Sequence, residues 1–313
     1  MKTCLITGGT GFIGSALTRL MLNKGYLVRV IDDNSRGNFR RLSDVMGSLD
    51  VRIGDIRDQS LVQSALKDTD LVIHLAYING TVNFYDKPRE VMDVAISGIQ
   101  NILAGMEMQG VPDLYLASSS EVYQNPGIFP TPENVPLIVP DPFNPRYSYG
   151  LGKIVQEFLS IHAGNFLKNL VVFRPHNVYG PDMGFQHVIP EICANITLEK
   201  NSHVTLKGNG LQTRSFCHIS DFVNGFELIL DSKHGRDTFN IGTREEITIS
   251  HLAGVIATSL GREIVFSCSD APLGETNRRL PDISKLENLG FRQKISIDDG
   301  VKEYCNWYLS TLY

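Results

Sequence analysis

Paired cysteine spacing is missing from this sequence. The five cysteines, Cys4, Cys193, Cys217, Cys268 and Cys305, are scattered, odd in number and form no C-x-x-C. Zinc sites and disulfide frameworks need such pairs, so buried free thiols in a reducing cytosol, and no metal, are expected. The eight histidines form no H-E-x-x-H. Cys217 and His218 are adjacent, but neighbours on a strand point to opposite faces. Long apolar runs are also missing. The longest stretch without Asp, Glu, Lys or Arg, Thr3 to Thr18, spans 16 residues, short of the roughly 20 that a membrane helix needs. It has no small-residue cleavage pattern, so a secretory signal is not expected and a cytoplasmic location is. No basic run occurs and the net charge is −5, which speaks against nucleic acid as the main partner.

What remains is ordinary except for glycine. Hydrophobic residues make up 42% and charged residues 20%, which excludes a disordered or fibrous chain. At about 150 residues per domain, 313 residues allow two domains or one large α/β unit. The 28 glycines are the one excess, and their placement carries the argument.

Residues 3–7 form a short apolar run entering a glycine cluster, the pattern of a buried parallel strand. Residues 12–24 then carry helical periodicity. Leu27–Ile31, Val51–Ile53, Leu71–Leu75, Leu114–Ala117 and Leu170–Phe173 repeat the strand pattern, with helices expected near 59–67, 88–109 and 147–168. Such alternation predicts an α/β, Rossmann-like doubly wound parallel sheet. After about residue 175 the regularity fades. A helix start near Pro190, strands at Val204–Lys207 and Thr238–Ile241 and a helix near Asp221–Leu230 are expected. The chain thus divides into 1–175, a cofactor half, and 176–313, a smaller substrate-covering α/β region with some segments returning to the main sheet. Residues 124–146 hold seven prolines and read as an ordered surface loop near the site.

Gly8-Gly9-Thr10-Gly11-Phe12-Ile13-Gly14 contains G-x-G-x-x-G after a strand and at a helix start. Glycine lets backbone N–H groups approach a pyrophosphate at the positive end of the helix. Asp32 ends the second strand, where a carboxylate can accept from ribose hydroxyls and would repel a 2′-phosphate; this favours NAD, with Arg36 as a reservation. Asp55 and Ile56 are expected beside the adenine, and Leu75 and Ala76 beside ribose and pyrophosphate.

Tyr149-x-x-x-Lys153 places a phenol and an ammonium on one helix face. A free tyrosine ionises near pH 10, but a neighbouring cation favours the phenolate, making Tyr149 a base for an alcohol proton. An ordinary amphipathic pair has the same spacing. Ser118-Ser119-Ser120-Glu121 follows the fifth strand, at the sheet end where ligands bind. A serine there can hold the reacting oxygen, and Glu121 can act as a second acid or base.

Taken together, T-G-G-T-G-F-I-G-S, I-D-D-N, G-D-I-R-D, V-I-H-L-A, S-S-S-E-V-Y, Y-S-Y-G-L-G-K, R-P-H-N-V-Y-G-P, Q-T-R-S-F-C-H-I-S-D and R-R-L-P-D-I-S-K resemble the extended short-chain dehydrogenases/reductases of the nucleotide-sugar epimerase/dehydratase type. The resemblance spans essentially the whole chain. It implies NAD as cofactor and Ser119, Tyr149 and Lys153 as catalytic residues. It further implies Asn177 and Arg214 as ligands of a nucleotide-diphosphate sugar, with Arg279 at the diphosphate or a sugar carboxylate. A homodimer packed through the helices near 88–109 and 147–168 is implied as well. Three departures stand out: Gln124 replaces the glycine of V-Y-G, Ala95 replaces an expected Asn, and Pro272-Leu273-Gly274-Glu275 lacks the arginine of galactose-type epimerases.

The family's shared first step is oxidation at carbon 4. From the 4-ketone, epimerisation, 4,6-dehydration and loss of a carboxylate from carbon 5 diverge. Ser-Glu after the catalytic serine suits several of these outcomes. A 4-epimerase is the leading expectation, with dehydratase or sugar-acid decarboxylase as alternatives. A non-catalytic NAD-binding module is disfavoured because Ser119, Tyr149 and Lys153 are all present.

Overall fold

The apolar runs become strands whose alternate residues feed two different cores. In the computed structural model, which describes residues 1–198, 203–232, 235–270, 274 and 276–312, the first part runs β1 (Thr3–Thr7), α1 (Phe12–Asn23), β2 (Leu27–Asp32), β3 (Leu49–Ile53), α2 (Gln59–Leu66), β4 (Leu71–His74), α3 (Thr81–Asp86), α4 (Pro88–Gln109), β5 (Asp113–Ala117), α5 (Ser148–Ile161) and β6 (Asn169–Pro175). The second runs β7 (Val178–Tyr179), α6 (Val188–Leu198), β8 (His203–Lys207), β9 (Thr213–Ser215), β10 (Cys217–His218), α7 (Ile219–Asp231), β11 (Arg236–Ile241), β12 (Glu246–Thr248), α8 (Ile249–Ser259), β13 (Val265–Ser269), β14 (Arg278–Arg279), α9 (Ser284–Asn288) and α10 (Ile297–Ser310).

Seven strands form one parallel sheet in the order β11-β6-β5-β4-β1-β2-β3. Cys4, Ile6, Val28, Val30, Leu71 and Ile73 face a core shared with α1, α7 and α9. Leu5, Val72, Leu114, Leu116 and Val172 face the opposite core, beneath α2, α4 and α5. Side chains alternate between faces along a strand, so a sheet covered on both sides needs apolar residues at every position. The strand order reverses between β1 and β4, and such a switch point opens a crevice at the carboxyl ends of the strands. A further core joins α6, α8, α10 and β8 around Tyr179, Leu252 and Tyr304.

Some boundaries differ from expectation. The helix expected over 147–168 stops at Ile161, because Gly164 adopts φ +109° and turns the chain toward β6. The helix near Pro190 begins at Val188, with the proline in its first turn, where a missing N–H is harmless. Cys4, Cys193, Cys217 and Cys305 are buried, but Cys268 is exposed, because it lies on β13 of a two-stranded ribbon rather than in a core. The proline-rich loop is tied down where Thr131 N donates to Leu280 O at 2.8 Å and Thr131 O accepts from Asp282 N at 2.8 Å. Of Pro272-Leu273-Gly274-Glu275, only Gly274 lies within the described residues.

Candidate active site

One cleft of about 510 Å³ opens along the carboxyl ends of β1, β2, β4, β5 and β6. It gathers Gly8, Gly11, Phe12, Ile13, Gly14, Asp32, Asp55, Ile56, Leu75, Ala76, Ser119, Glu121, Tyr149, Lys153, Asn177 and Arg279. Arg214 lies outside this lining: its guanidinium donates to the carbonyls of Thr213 at 2.8 Å and Thr276 at 2.6 Å, and its charge is felt by Glu121.

The glycine turn is closed by contacts that only glycine permits. A Cβ on Gly14 would lie 2.0 Å from Gly8 O, so the opening of α1 rests directly on the turn. Gly8 adopts φ +74°, and a Cβ there would meet Ala76 N at 2.8 Å. Gly11 caps α1 without a side-chain acceptor, leaving the first N–H groups of the helix available to an anion. Asp32 takes one backbone hydrogen bond on each carboxylate oxygen, from Thr10 N at 2.9 Å and Asn34 N at 2.8 Å. That fixes the carboxylate while each oxygen keeps a lone pair for a ribose hydroxyl. Turn, helix end and fixed carboxylate fit NAD. Arg36 extends toward Gly80 and Gly184 and interacts electrostatically with Tyr149.

Tyr149 is buried and lines the cleft together with Ser119. Its ring stacks on Phe84, with centroids 4.8 Å apart, and meets the edge of Tyr77 at 5.1 Å. Burial pushes the phenol up to about 12, while the Ser119 hydroxyl and the charges of Arg36 and Arg279 pull it down. The expected lowering by Lys153 is not what this arrangement produces. Lys153 Nζ instead donates to Ala117 O at 2.7 Å and Gln156 Oε1 at 3.0 Å and lies over the Tyr77 ring. Burial brings the amine down to about 7, against the opposing charge of Glu157.

Glu121 Oε1 accepts from Arg279 at 2.7 Å, and Arg146 stands 3.9 Å away. Burial alone would raise this carboxyl, but Arg279, with Arg146 and Arg214, holds it at about 2. Glu121 is therefore a fixed carboxylate rather than a free acid. Asn177 has φ +41° and donates from Nδ2 to Ser215 O at 2.7 Å, joining β6's exit to β9. Gln124 occupies the left-handed region at φ +50° and donates to Glu121 O at 2.6 Å, so the loop keeps a glycine-like bend despite the substitution. At Ala95 only the carbonyl remains polar, and it accepts from Gln156 at 3.3 Å. Among the described residues, no group of three or more His, Cys, Asp or Glu could hold a metal ion.

With this geometry in view, a family model for NAD dependent epimerase/dehydratase matches residues 4–242. The chain belongs to that family. It is 30% identical over 319 residues to a UDP-N-acetyl-alpha-D-glucosaminuronate decarboxylase of Bacillus cytotoxicus, covering 98% of each chain. Among solved structures it is similar to a UDP-glucose 4-epimerase of Thermotoga maritima with UDP-glucose, at 26% identity and a TM-score of 0.88, covering 99% of this chain and 100% of that one. It is also similar to a dTDP-glucose 4,6-dehydratase of Streptomyces venezuelae solved with NAD, at 27% identity and a TM-score of 0.88, covering 98% and 97%. Like its relatives, this epimerase/dehydratase family member is an NAD-dependent enzyme of the nucleotide-sugar epimerase, dehydratase and decarboxylase group. None of its described helices is long and apolar enough to cross a membrane.

Sequence reasoning missed the side chains that enclose Tyr149. Tyr77, Phe84 and Arg36 come from loops and from short α3, where no periodicity marks them. Arg146 stands three residues before Tyr149, within a proline-rich stretch that reads only as a turn.

Proposed function

We propose that the protein is a nucleotide-sugar 4-epimerase. The observation that carries the reading is that Glu121, beside Ser119 and Tyr149 in the cleft, is locked as a carboxylate by Arg279 at 2.7 Å. Dehydration needs a base for the carbon-5 proton and an acid for the leaving carbon-6 hydroxyl, and a carboxyl held at about 2 by Arg279 is a weak base for the first and a poor donor for the second. Epimerisation needs no second acid. NAD supplies the hydride acceptor and donor and a positive ring. Tyr149 removes the proton from the C4 hydroxyl, Ser119 holds that oxygen, and Lys153 supports the phenolate once cofactor charge is near. General base catalysis of this kind typically contributes about 10²–10⁴-fold. Gly8 to Gly14, Asp32, Asp55, Ile56, Leu75 and Ala76 bind the cofactor, while Asn177, Arg214 and Arg279 bind the substrate's nucleotide-diphosphate end.

A second reading is favoured by Arg279, Arg146 and Arg214 converging on Glu121. So much positive charge also suits a sugar carboxylate, and its loss beside a 4-ketone gives a pentose. The decarboxylase relative supports this alternative.

Residues 1–175 serve as the cofactor half and 176–313 mainly as the substrate half, in a cytoplasmic homodimer. Met108 of α4 and Phe158 and Ile161 of α5 are exposed, and α4 and α5 offer their outer faces to a second copy. Incubation with a panel of nucleotide sugars and mass spectrometry tests the reading. Conversion at unchanged mass supports epimerisation; loss of carbon dioxide or water overturns it. Tyr149→Phe should keep NAD binding and abolish turnover.

A further inference from the structure

Behind the cleft, a line of fully buried polar groups runs from Lys153 to the glycine turn. Lys153 Nζ donates to Gln156 Oε1 at 3.0 Å. Gln156 Nε2 donates to Ala95 O at 3.3 Å and faces His74 Nε2 at 3.4 Å. His74 Nδ1 lies 2.7 Å from Thr7 Oγ1, and that oxygen accepts from Ala76 N at 3.2 Å, while Leu75 N is shared between it at 3.2 Å and Thr7 O at 3.1 Å. Thr7, His74 and Gln156 are all solvent-free.

The amide orientation follows from its neighbours. Ala95 O offers only an acceptor, so Nε2 must face it, and Oε1 then turns to the donating Lys153 Nζ. The NH₂ group then points at His74 Nε2, which has to be the unprotonated nitrogen. The ring proton is on Nδ1, donated to Thr7. The surroundings are consistent with a neutral imidazole, since burial and the charge of Lys153 bring His74 down to about 3.

We propose that Gln156 is a positioning residue that anchors the Lys153 amine against β5 and couples it, through the His74 tautomer, to Thr7 beneath the glycine turn. This rests on the reading of Lys153 as part of the active site. Without Gln156 the amine keeps one protein acceptor, Ala117 O. The other groups facing Lys153 are accounted for. Tyr77 presents its ring, Glu157 of the same helix is bound to Arg174 and Ser118, and the Tyr149 ring is packed between Phe84 and Tyr77.

The test uses the full-length, NAD-loaded protein with nitrogen-15 histidine and carbon-13 lysine NMR. In the unaltered protein, His74 should show a protonated Nδ1 and a bare Nε2. Gln156→Met removes the acceptor while keeping the volume, and should lower the Lys153 titration midpoint by about one pH unit, a tenfold change in its ionisation constant. Gln156→Glu should raise that midpoint and move the His74 proton to Nε2, which then faces a carboxylate. A merely structural residue would not shift the two variants in opposite directions. An unchanged Lys153 midpoint and His74 tautomer in both variants would overturn the proposal. If Gln156→Met fails to fold, Gln156→Glu decides alone. Neither readout depends on turnover, so a fully active Tyr149→Phe would sink the parent reading separately.

Discussion

The buried pair Arg174–Glu157 offers the sharpest energetic test of how the site is supported. Arg174 Nε and Nη2 donate to Glu157 Oε1 and Oε2 at 2.9 and 2.6 Å, and the side chains are 5% and 4% exposed. Ser118, one residue before Ser119, donates to the same carboxylate, and Arg174 Nη1 donates to Tyr123 OH at 2.8 Å and Glu133 O at 2.9 Å. Glu157→Ala would leave a guanidinium in the interior without its counter-charge. Breaking one partner of such a pair costs about 3–5 kcal/mol, a large share of the roughly 5–15 kcal/mol that holds a domain folded. Replacing both residues, as in Arg174→Met with Glu157→Ala, removes the desolvated charges together and should cost well under the sum of the single changes. Urea unfolding of the four proteins of the cycle measures this. A Glu157→Ala cost below about 1 kcal/mol, or strictly additive single and double costs, would refute the account.

Gly14→Ala should abolish measurable NAD binding by calorimetry, since its methyl would sit 2.0 Å from Gly8 O; Gly254→Ala, with nothing within 4 Å, should fold and bind normally. Glu121→Gln should leave 4-epimerisation measurable by NMR of the sugar product, and accumulation of a 4-keto sugar without product would count against a spectator carboxylate. Acid should destabilise the protein through His74 and His176, both brought down to about 3 by burial. The unfolded chain binds the extra protons below pH 6.5, so stability should be complete above that value and fall progressively toward pH 3, as followed by thermal melts across that range.

The sheet was readable because each strand is a short apolar run bounded by glycine or a polar turn, and the cofactor turn because glycines at fixed spacing have one physical explanation there. The ends of elements were harder: α5 stops at Ile161 ahead of Gly164 at φ +109°, a helix-stop signal that the apolar periodicity running past it obscures. Tyr149 and Lys153 were found as a pair, yet their electrostatic relation was not. Gln156, Tyr77 and Ala117 O intervene, and they converge from three separate elements. The state of Glu121 depends on arginines 25 to 158 residues away in the chain, a distance over which pattern reasoning has no purchase.

The seventh strand carries a consequence for synthesis. β11 pairs with β6 at the sheet's edge, although residue 236 is made long after residue 175. Until it emerges from the ribosome, β6 presents a row of unpaired backbone groups, and Phe173 lacks its cover from Phe222 and Phe226. A nascent or truncated chain ending near residue 175 is thus an open template for strand addition by its neighbours. Such a fragment should collect in inclusion bodies, whereas one extended past β11 and α9 pairs β6 and moves the edge to β11, where Lys285 Nζ donates to Thr238 O at 2.6 Å and Glu133 Oε1 accepts from Asn240 N at 2.9 Å.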